Sequence, residues 1–100
     1  MYHVVIATLR YRSFEEAMSR EPAAVASHMA HAAAMHARGQ VLMAGIFLDG
    51  REPLQAMAIC TTRAVADEYI DGDPFTHMGM VEEWSIREWA DMFASPGTDA

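Results

Sequence analysis

The sequence predicts a single α+β domain in which helices cover one antiparallel sheet. Apolar runs of strand length occur at the start, middle and end of the chain, and stretches with helical spacing separate them. The chain has 100 residues, 52% of them hydrophobic and 21% charged, a composition typical of one globular core. We therefore expect one domain over residues 1–100, with a polar, turn-rich tail over residues 90–100 that frays.

The charge pattern argues against several classes of partner. The formal net charge is -7, and all seven basic residues are arginines scattered along the chain. Without a basic stripe we expect no nucleic-acid partner and no membrane-surface partner. The single cysteine, Cys60, lies in the apolar run "QAMAIC", where a buried, inert thiol is the expected state. With no export-like start and no membrane-length apolar run, we predict a cytoplasmic protein.

The first half of the chain predicts a strand and two helices. "MYHVVIATL" is rich in β-branched and aromatic residues and predicts the first strand. Ser13 and Glu16 have the spacing of a capping box, and the short helix that they begin must end before Pro22. A longer helix then runs from Pro22, which suits a first turn, to Arg38, with Gly39 as the residue past its end.

The second half predicts a hairpin, a helix and a last strand. "QVLMAGIFLDG" and "PLQAMAICTT" flank a turn over residues 49–52 that contains Asp-Gly, as in an antiparallel hairpin. Thr62 is the expected cap of the next helix, and "MVEEWSIREW" predicts the final strand. The order β-α-β-β-α-β is that of a ferredoxin-like fold. Because the strands are apolar at nearly every position, we expect two bare sheet faces to pack together in a homodimer resembling an α/β barrel.

The stretch "DGDPFTHMG" offers two interpretations of Asp73. As a helix cap, Asp73 would precede Pro74 at the first helical position, and Gly79 would end the turn. As a residue held extended before proline, Asp73 could instead aim its carboxylate at a histidine elsewhere in the fold. The pattern favours the cap, but the two roles are compatible, and we predict both.

The longer helix carries three histidines, His28, His31 and His36. Their spacing allows all three to point broadly one way, which raises the question of a metal site. No HExxH or CxxC motif accompanies them, so we predict no metal, and we place His31 and His36 on a half-exposed helix face.

His28 differs from the other two because apolar residues surround it on the helix surface. These neighbours would draw its imidazole toward the sheet, where a buried ring needs a hydrogen-bond partner. They are Ala24, Val25, Ala32 and Met35. Asp73 is the candidate partner, and a carboxylate on one ring nitrogen would leave the other nitrogen as a general base.

In order and spacing, these features resemble the YciI-like family from Met1 to about Trp89. The resemblance rests on His28, the helix ending at Gly39, "QVLMAGIFLDG", "DGDPF" and "VEEWSIREW", and Asp-Pro-Phe is its most specific part. It implies a dimer with a pocket near a catalytic pair. That pair carries over to His28 and Asp73, and we expect Pro74, Phe75 and Gly45 to bind substrate. Where the family often has Gly-Pro, this chain has Gly45-Ile46, so we expect a different strand end or pocket wall.

Two hypotheses on function follow. The family includes a chlorohydroxyhydroquinone dehydrochlorinase, so the resemblance implies a lyase or isomerase without a cofactor. His28 would take a proton from a hydroxylated, cyclic small molecule, and Asp73 would orient His28. The alternative is a non-catalytic dimeric module that binds a small molecule or a protein, in which the pair is only a buried polar network. The two differ in whether His28 and Asp73 border an open pocket or lie in a sealed core.

Overall fold

The computed structural model describes residues 1–94, which form an α+β domain with a four-stranded antiparallel sheet. The elements follow the ferredoxin-like β-α-β-β-α-β order that the sequence predicts, with two helices in each helical segment. The elements are β1 (Tyr2–Leu9), α1 (Phe14–Arg20), α2 (Pro22–Ala37), β2 (Val41–Ile46), β3 (Gln55–Cys60), α3 (Arg63–Asp71), α4 (Pro74–His77) and β4 (Val81–Trp89). Within these residues, no helix is both long and apolar enough to cross a bilayer.

The strand order is β2-β3-β1-β4, so β1 and β3 are central and β2 and β4 are the edges. Val5 lies opposite Ala58 on β3 and opposite Ile86 on β4, and all three pack in the core beneath the helices. Because side chains alternate along a strand, the neighbours of Val5 in β1 point to the other face. Each strand therefore contributes to two surfaces.

The helix starts follow the predicted caps, with one difference. Ser13 accepts a hydrogen bond from the Glu16 N–H at 3.2 Å, and Thr62 accepts one from the Val65 N–H at 3.1 Å. The Glu16 carboxylate does not complete the capping box. It accepts instead from the Arg12 backbone N–H at 3.2 Å and from the Arg12 side chain at 2.7 Å. The guanidinium is a stronger donor for a carboxylate than a neutral amide, which accounts for the difference.

Two apolar clusters fill the space between sheet and helices. The first lies beneath α2 and α3 and contains Met35 and Val41, which are almost fully buried. The second lies where β1 leaves the sheet and meets α1, α2 and α4. Its members are Leu9, Tyr11, Ala17, Val25, Leu54 and Phe75. The second cluster adjoins the candidate site described below.

The opposite face of the sheet, called here the open face, carries a shallow depression whose lining is mainly apolar. The residues that line it are Val4, Ile6, Met57, Ile59, Arg87, Glu88 and Trp89. No described helix covers these side chains. An apolar sheet face of this kind is the surface that the sequence predicts to be covered by a second copy.

We propose that a second copy covers the open face, and Ile59→Glu tests this. Burying a carboxylate among apolar side chains is unfavourable, so the variant should weaken the dimer by roughly 100-fold. Sedimentation across a dilution series measures the effect. Ala64→Glu, at an exposed position of α3, is the matched control and should leave the dimer intact. A wild-type protein that stays monomeric at high concentration would contradict the proposal.

Cys60 is fully buried at the end of β3, in agreement with its predicted inert role. Burial raises the pKa of its thiol to about 11, because a thiolate there would lose its hydration. The folded protein therefore keeps this proton at pH values where an unfolded chain begins to lose it. The contribution of Cys60 to stability falls as pH rises from the unfolded pKa toward the folded one.

We expect Cys60 in the folded protein to react with a thiol-specific disulfide reagent at pH 8 at least 100-fold more slowly than in urea. The physical reason is the small thiolate fraction, together with the exclusion of the reagent by the surrounding core. Absorbance of the released thiol measures the rate. Equal rates in the folded and unfolded states would show that the core around Cys60 opens readily.

Candidate active site

The α2 helix positions three histidines, and each meets a different acceptor. His28 Nδ1 lies 3.1 Å from Asp73 Oδ1, His31 Nε2 lies 3.0 Å from the Tyr69 carbonyl oxygen, and His36 Nδ1 lies 2.8 Å from the Val41 carbonyl oxygen. The three rings therefore do not converge on one point. The three histidines lie on one helix, as expected, but their rings are directed to three different acceptors.

Asp73 makes both of the contacts predicted from "DGDPF", the helix cap at α4 and the hydrogen bond with a histidine. Its ψ of 123° is extended, as expected before Pro74, and its carboxylate turns back to accept from the Phe75 N–H at 3.0 Å. The same oxygen, Oδ1, faces His28. Asp73 is 4% exposed, so these two hydrogen bonds replace much of the hydration that the carboxylate loses.

The partner of His28 determines its tautomer. A carboxylate can only accept, so Nδ1 carries the hydrogen and donates to Asp73, which leaves Nε2 of a neutral ring as an acceptor. The ring packs at 5.3 Å from the Phe75 ring and at 6.4 Å from the Tyr69 ring, measured between centroids. Its side chain is 19% exposed, so it is held in place yet accessible.

His31 aligns α2 with α3, a role that the sequence does not predict. Its Nε2–H donates to the Tyr69 carbonyl, and its ring stacks on the Tyr69 ring at 5.8 Å. Gly72 permits this close approach, because a Cβ at position 72 would lie 2.5 Å from His31 Cε1. Asp73 is the next residue after Gly72. The packing of His31 on Gly72 therefore helps to fix the backbone from which the Asp73 side chain contacts His28.

His28 borders a cavity of about 600 Å³ between α2 and the edge strand β2. Phe75 and Gly45, two of the predicted substrate-binding residues, also line it, but Pro74 and Asp73 are not among its wall residues. Most of the wall is apolar. It includes Leu9, Phe14, Val25, Met29, Ala32, Leu42, Ile46 and Leu54. A ligand in this cavity would therefore meet His28 in a largely apolar surround, with Asp73 behind the ring.

Two tyrosines line the cavity, and the sequence does not predict either of them as a site residue. Tyr69 is 6% exposed, and burial, together with the nearby Asp73 carboxylate, raises its pKa, so its hydroxyl stays protonated. Tyr11 is 1% exposed, and its hydroxyl has no hydrogen-bond partner within residues 1–94. The spacing of Tyr69 with Val65 on α3 indicates the buried helix face. Tyr11 follows a strand between two arginines, where no periodic pattern indicates burial.

Within the described part of the chain, no group of three or more His, Cys, Asp or Glu side chains has an arrangement that could hold a metal ion. His28, His31 and His36 each have a separate acceptor, as described above. The arrangement is suited to proton transfer at one nitrogen, His28 Nε2, rather than to ligation.

Comparison with family models assigns the chain to a known family. A model of the YCII-related domain matches residues 1–90. The chain belongs to the YCII-related domain family. This confirms the resemblance to the YciI-like family, and the match spans every strand and helix described above. A search of curated proteins found no match.

A solved structure has a fold similar to that of this YCII-related domain. It is the 5-chloro-2-hydroxyhydroquinone dehydrochlorinase TftG from Burkholderia phenoliruptrix AC1100, in complex with 2,5-dihydroxybenzoquinone. The TM-score is 0.65 at 15% sequence identity, with 90% of this chain and 94% of that chain covered. At this identity the likeness concerns the fold, and the roles of His28, Asp73, Pro74, Phe75 and Gly45 stay predictions.

Asp73→Ala and Asp73→Asn should differ in their effect on the free energy of unfolding. Alanine removes the acceptor for both the Phe75 N–H and the His28 Nδ1–H, at a cost of about 2 to 3 kcal/mol. Asparagine keeps an acceptor oxygen and should cost roughly half as much. Urea denaturation measures both values.

Asp49→Ala is the matched control for this pair. Asp49 also accepts a hydrogen bond from a backbone N–H two residues ahead, that of Arg51 at 3.3 Å, but on an exposed turn. Its replacement should cost about 0.5 kcal/mol or less. Equal losses in the free energy of unfolding for Asp73→Ala and Asp49→Ala would contradict this expectation. The buried hydrogen bonds of Asp73 would then stabilise the fold no more than the exposed one of Asp49.

Proposed function

We propose that this YCII-related domain is a cofactor-independent lyase that eliminates hydrogen chloride from a chlorinated, hydroxylated ring, with His28 as the proton-transferring residue. The observation that carries the proposal is the position of His28. Its Nδ1 is 3.1 Å from Asp73 Oδ1, and the ring borders an apolar cavity of about 600 Å³. A neutral imidazole with a fixed tautomer beside a ligand-sized cavity is suited to general acid–base chemistry.

The elimination balances without an oxidant. Two hydroxyl groups of the ring each lose a proton. His28 Nε2 takes the first proton; the O–H electrons form a carbonyl, and the ring double bond displaced by it accepts the proton from His28 at the carbon that bears chlorine. As the second hydroxyl loses its proton to His28, its O–H electrons form a second carbonyl, a ring double bond shifts to the carbon that bears chlorine, and the C–Cl bond breaks as its electron pair leaves with chloride. The ring becomes a quinone, and the sum of the losses is one hydrogen chloride. The first transfer alone is an isomerisation, so the same residue supports either reaction.

Asp73 supports this chemistry without touching the ligand. When His28 Nε2 accepts a proton the ring becomes positive, and the carboxylate 3.1 Å from Nδ1 favours that charge. The Nδ1–H···Oδ1 hydrogen bond also keeps the ring from rotating away from the cavity. Asp73 is thus a positioning residue, and His28 is the catalytic one.

The ring class of the substrate is supported by the cavity wall. Phe75 and Tyr69 pack beside His28, and flat aromatic walls favour a flat ligand. The structure with a similar fold is a dehydrochlorinase that holds a dihydroxylated quinone. At Gly45 no heavy atom lies within 4 Å of the position that a Cβ would take, so at this one position β2 adds only backbone to the wall.

Release of chloride from 5-chloro-2-hydroxyhydroquinone tests the proposal, and we expect catalysed release above the rate in buffer. His28→Ala and Asp73→Asn should each lower kcat by roughly 100-fold or more, the former by removing the base and the latter by weakening the hold on the imidazolium. His77→Ala changes an exposed histidine on α4 and is the matched control, with unchanged rate expected.

Folding must be verified for each variant, because Asp73 also has a structural role. Far-UV circular dichroism and a melting curve serve this purpose. If the wild-type protein releases chloride and both folded variants do so at the same rate, the catalytic assignment is wrong. If the protein binds 2,5-dihydroxybenzoquinone in the cavity but releases no chloride, the alternative hypothesis of a non-catalytic binding module is correct.

A further inference from the structure

The side chain of Tyr69 carries a buried polar group for which the fold provides no partner. Tyr69 is 6% exposed, and its one hydrogen bond outside the α3 helix uses its carbonyl oxygen, which accepts from His31 Nε2 at 3.0 Å. Within residues 1–94 its hydroxyl makes no hydrogen bond. Tyrosine hydroxyls that are buried usually have a partner, so this one is free to bind a ligand.

The open part of the Tyr69 side chain borders the cavity beside His28. Three side-chain polar atoms of the described residues are fully enclosed and lack a partner, namely His3 Nδ1, the Tyr11 hydroxyl oxygen and Thr76 Oγ1. The Tyr69 hydroxyl is not among them, so some of its surface is open. Of the residues of α3, Tyr69 alone lines the cavity. Its side chain reaches the wall from that helix, and the hydroxyl is at its far end.

Two histidines of α2 hold the Tyr69 ring in place. The His31 ring stacks on it at 5.8 Å with an interplanar angle of 28°, and the His28 ring meets it at 6.4 Å and 74°, in an edge-to-face arrangement. His31 also binds the Tyr69 carbonyl, so one residue fixes both the main chain and the ring. A donor whose direction is fixed in this way needs no reorganisation when a ligand binds.

The surroundings of Tyr69 also determine its protonation state. Burial raises the pKa of its hydroxyl, and the negative charge of Asp73 raises it further. The hydroxyl therefore keeps its proton at neutral pH and acts as a donor. His28 Nε2, in contrast, is an acceptor, because Nδ1 carries the hydrogen that faces Asp73. The cavity thus has an acceptor and a donor on adjacent rings.

We propose that Tyr69 is a second catalytic residue, whose hydroxyl donates a hydrogen bond to the ring oxygen from which His28 Nε2 removes a proton. One oxygen with two hydrogen bonds of about 2.8 Å bridges up to about 5.6 Å. This span is comparable with the 6.4 Å between the centroids of the Tyr69 and His28 rings.

The role of Tyr69 in the reaction is electrostatic. As the proton moves to His28 Nε2, the O–H electrons stay on the ligand oxygen, and the Tyr69 donor stabilises the negative charge that develops there. The Tyr69 O–H bond itself stays intact. This inference rests on the proposed function and adds the group that favours a ring bearing an oxygen over a purely apolar ring of the same size.

Tyr69→Phe tests the inference, because it keeps the ring and its packing and removes the hydroxyl alone. We expect the variant to bind 2,5-dihydroxybenzoquinone roughly tenfold or more weakly, measured by isothermal titration calorimetry. Its urea unfolding midpoint should be unchanged or higher, since the lost group has no partner in the fold. Tyr2→Phe is the matched control. Tyr2 packs on Trp89 at 6.2 Å and is not in the cavity wall, so both quantities should stay unchanged.

Unchanged binding in folded Tyr69→Phe would overturn the inference, as would a wild-type protein that does not bind the quinone. A lower unfolding midpoint in Tyr69→Phe, with or without weaker binding, would show that the hydroxyl serves the fold, and would also overturn it. The result is separate from the proposed reaction. Weaker binding without chloride release by the wild-type protein would support the role of Tyr69 and reject the lyase. Chloride release with unchanged binding in Tyr69→Phe would do the reverse.

Discussion

The candidate site depends on one carboxylate oxygen, Asp73 Oδ1. It accepts from the Phe75 N–H at the start of α4 and from His28 Nδ1 on α2, and therefore joins α4 to a residue that lies 45 positions before Asp73 in the sequence. A buried carboxylate without such donors would be costly, so the two contacts stabilise each other's geometry. Asp-Pro-Phe provides, in successive residues, the acceptor, the extended backbone that aims it and the aromatic ring that packs on His28.

The position of that oxygen depends in turn on how closely α2 approaches α3. His31 lies three residues after His28, on the same side of α2, and donates to the Tyr69 carbonyl four residues before Asp73. Both helices are thus fixed to each other one turn away from the His28–Asp73 contact. Any side chain at Gly72 would push against the His31 ring. The absence of a side chain at Gly72 is therefore needed for the hydrogen bond between His31 and the Tyr69 carbonyl.

Local patterns account for most of the fold, because strands and caps depend on residues near in sequence. The β-branched and aromatic run of β1, the Ser13 and Thr62 caps and Pro22 at the start of α2 all correspond to observed elements. The acceptor of His31 is the carbonyl of a residue 38 positions away, which no local pattern reports. Asp73 was accessible to sequence reasoning because proline restricts the residue before it. Tyr11 was not, because its burial arises only when α1 and α4 pack around it.

The same arrangement indicates which ligands the cavity can accept. Asp73 is not in the cavity wall, so a bound molecule would meet the imidazole of His28 and not the carboxylate. Metal cations are disfavoured there, because the other histidine of the wall, His36, directs its Nδ1 to the Val41 carbonyl, and within residues 1–94 no group of three or more His, Cys, Asp or Glu side chains could hold a metal ion. Anions are disfavoured by the apolar wall and by the chain's net charge of -7. A neutral molecule with a weakly acidic hydroxyl avoids both penalties, since charge then develops only during proton transfer, beside the carboxylate that balances it.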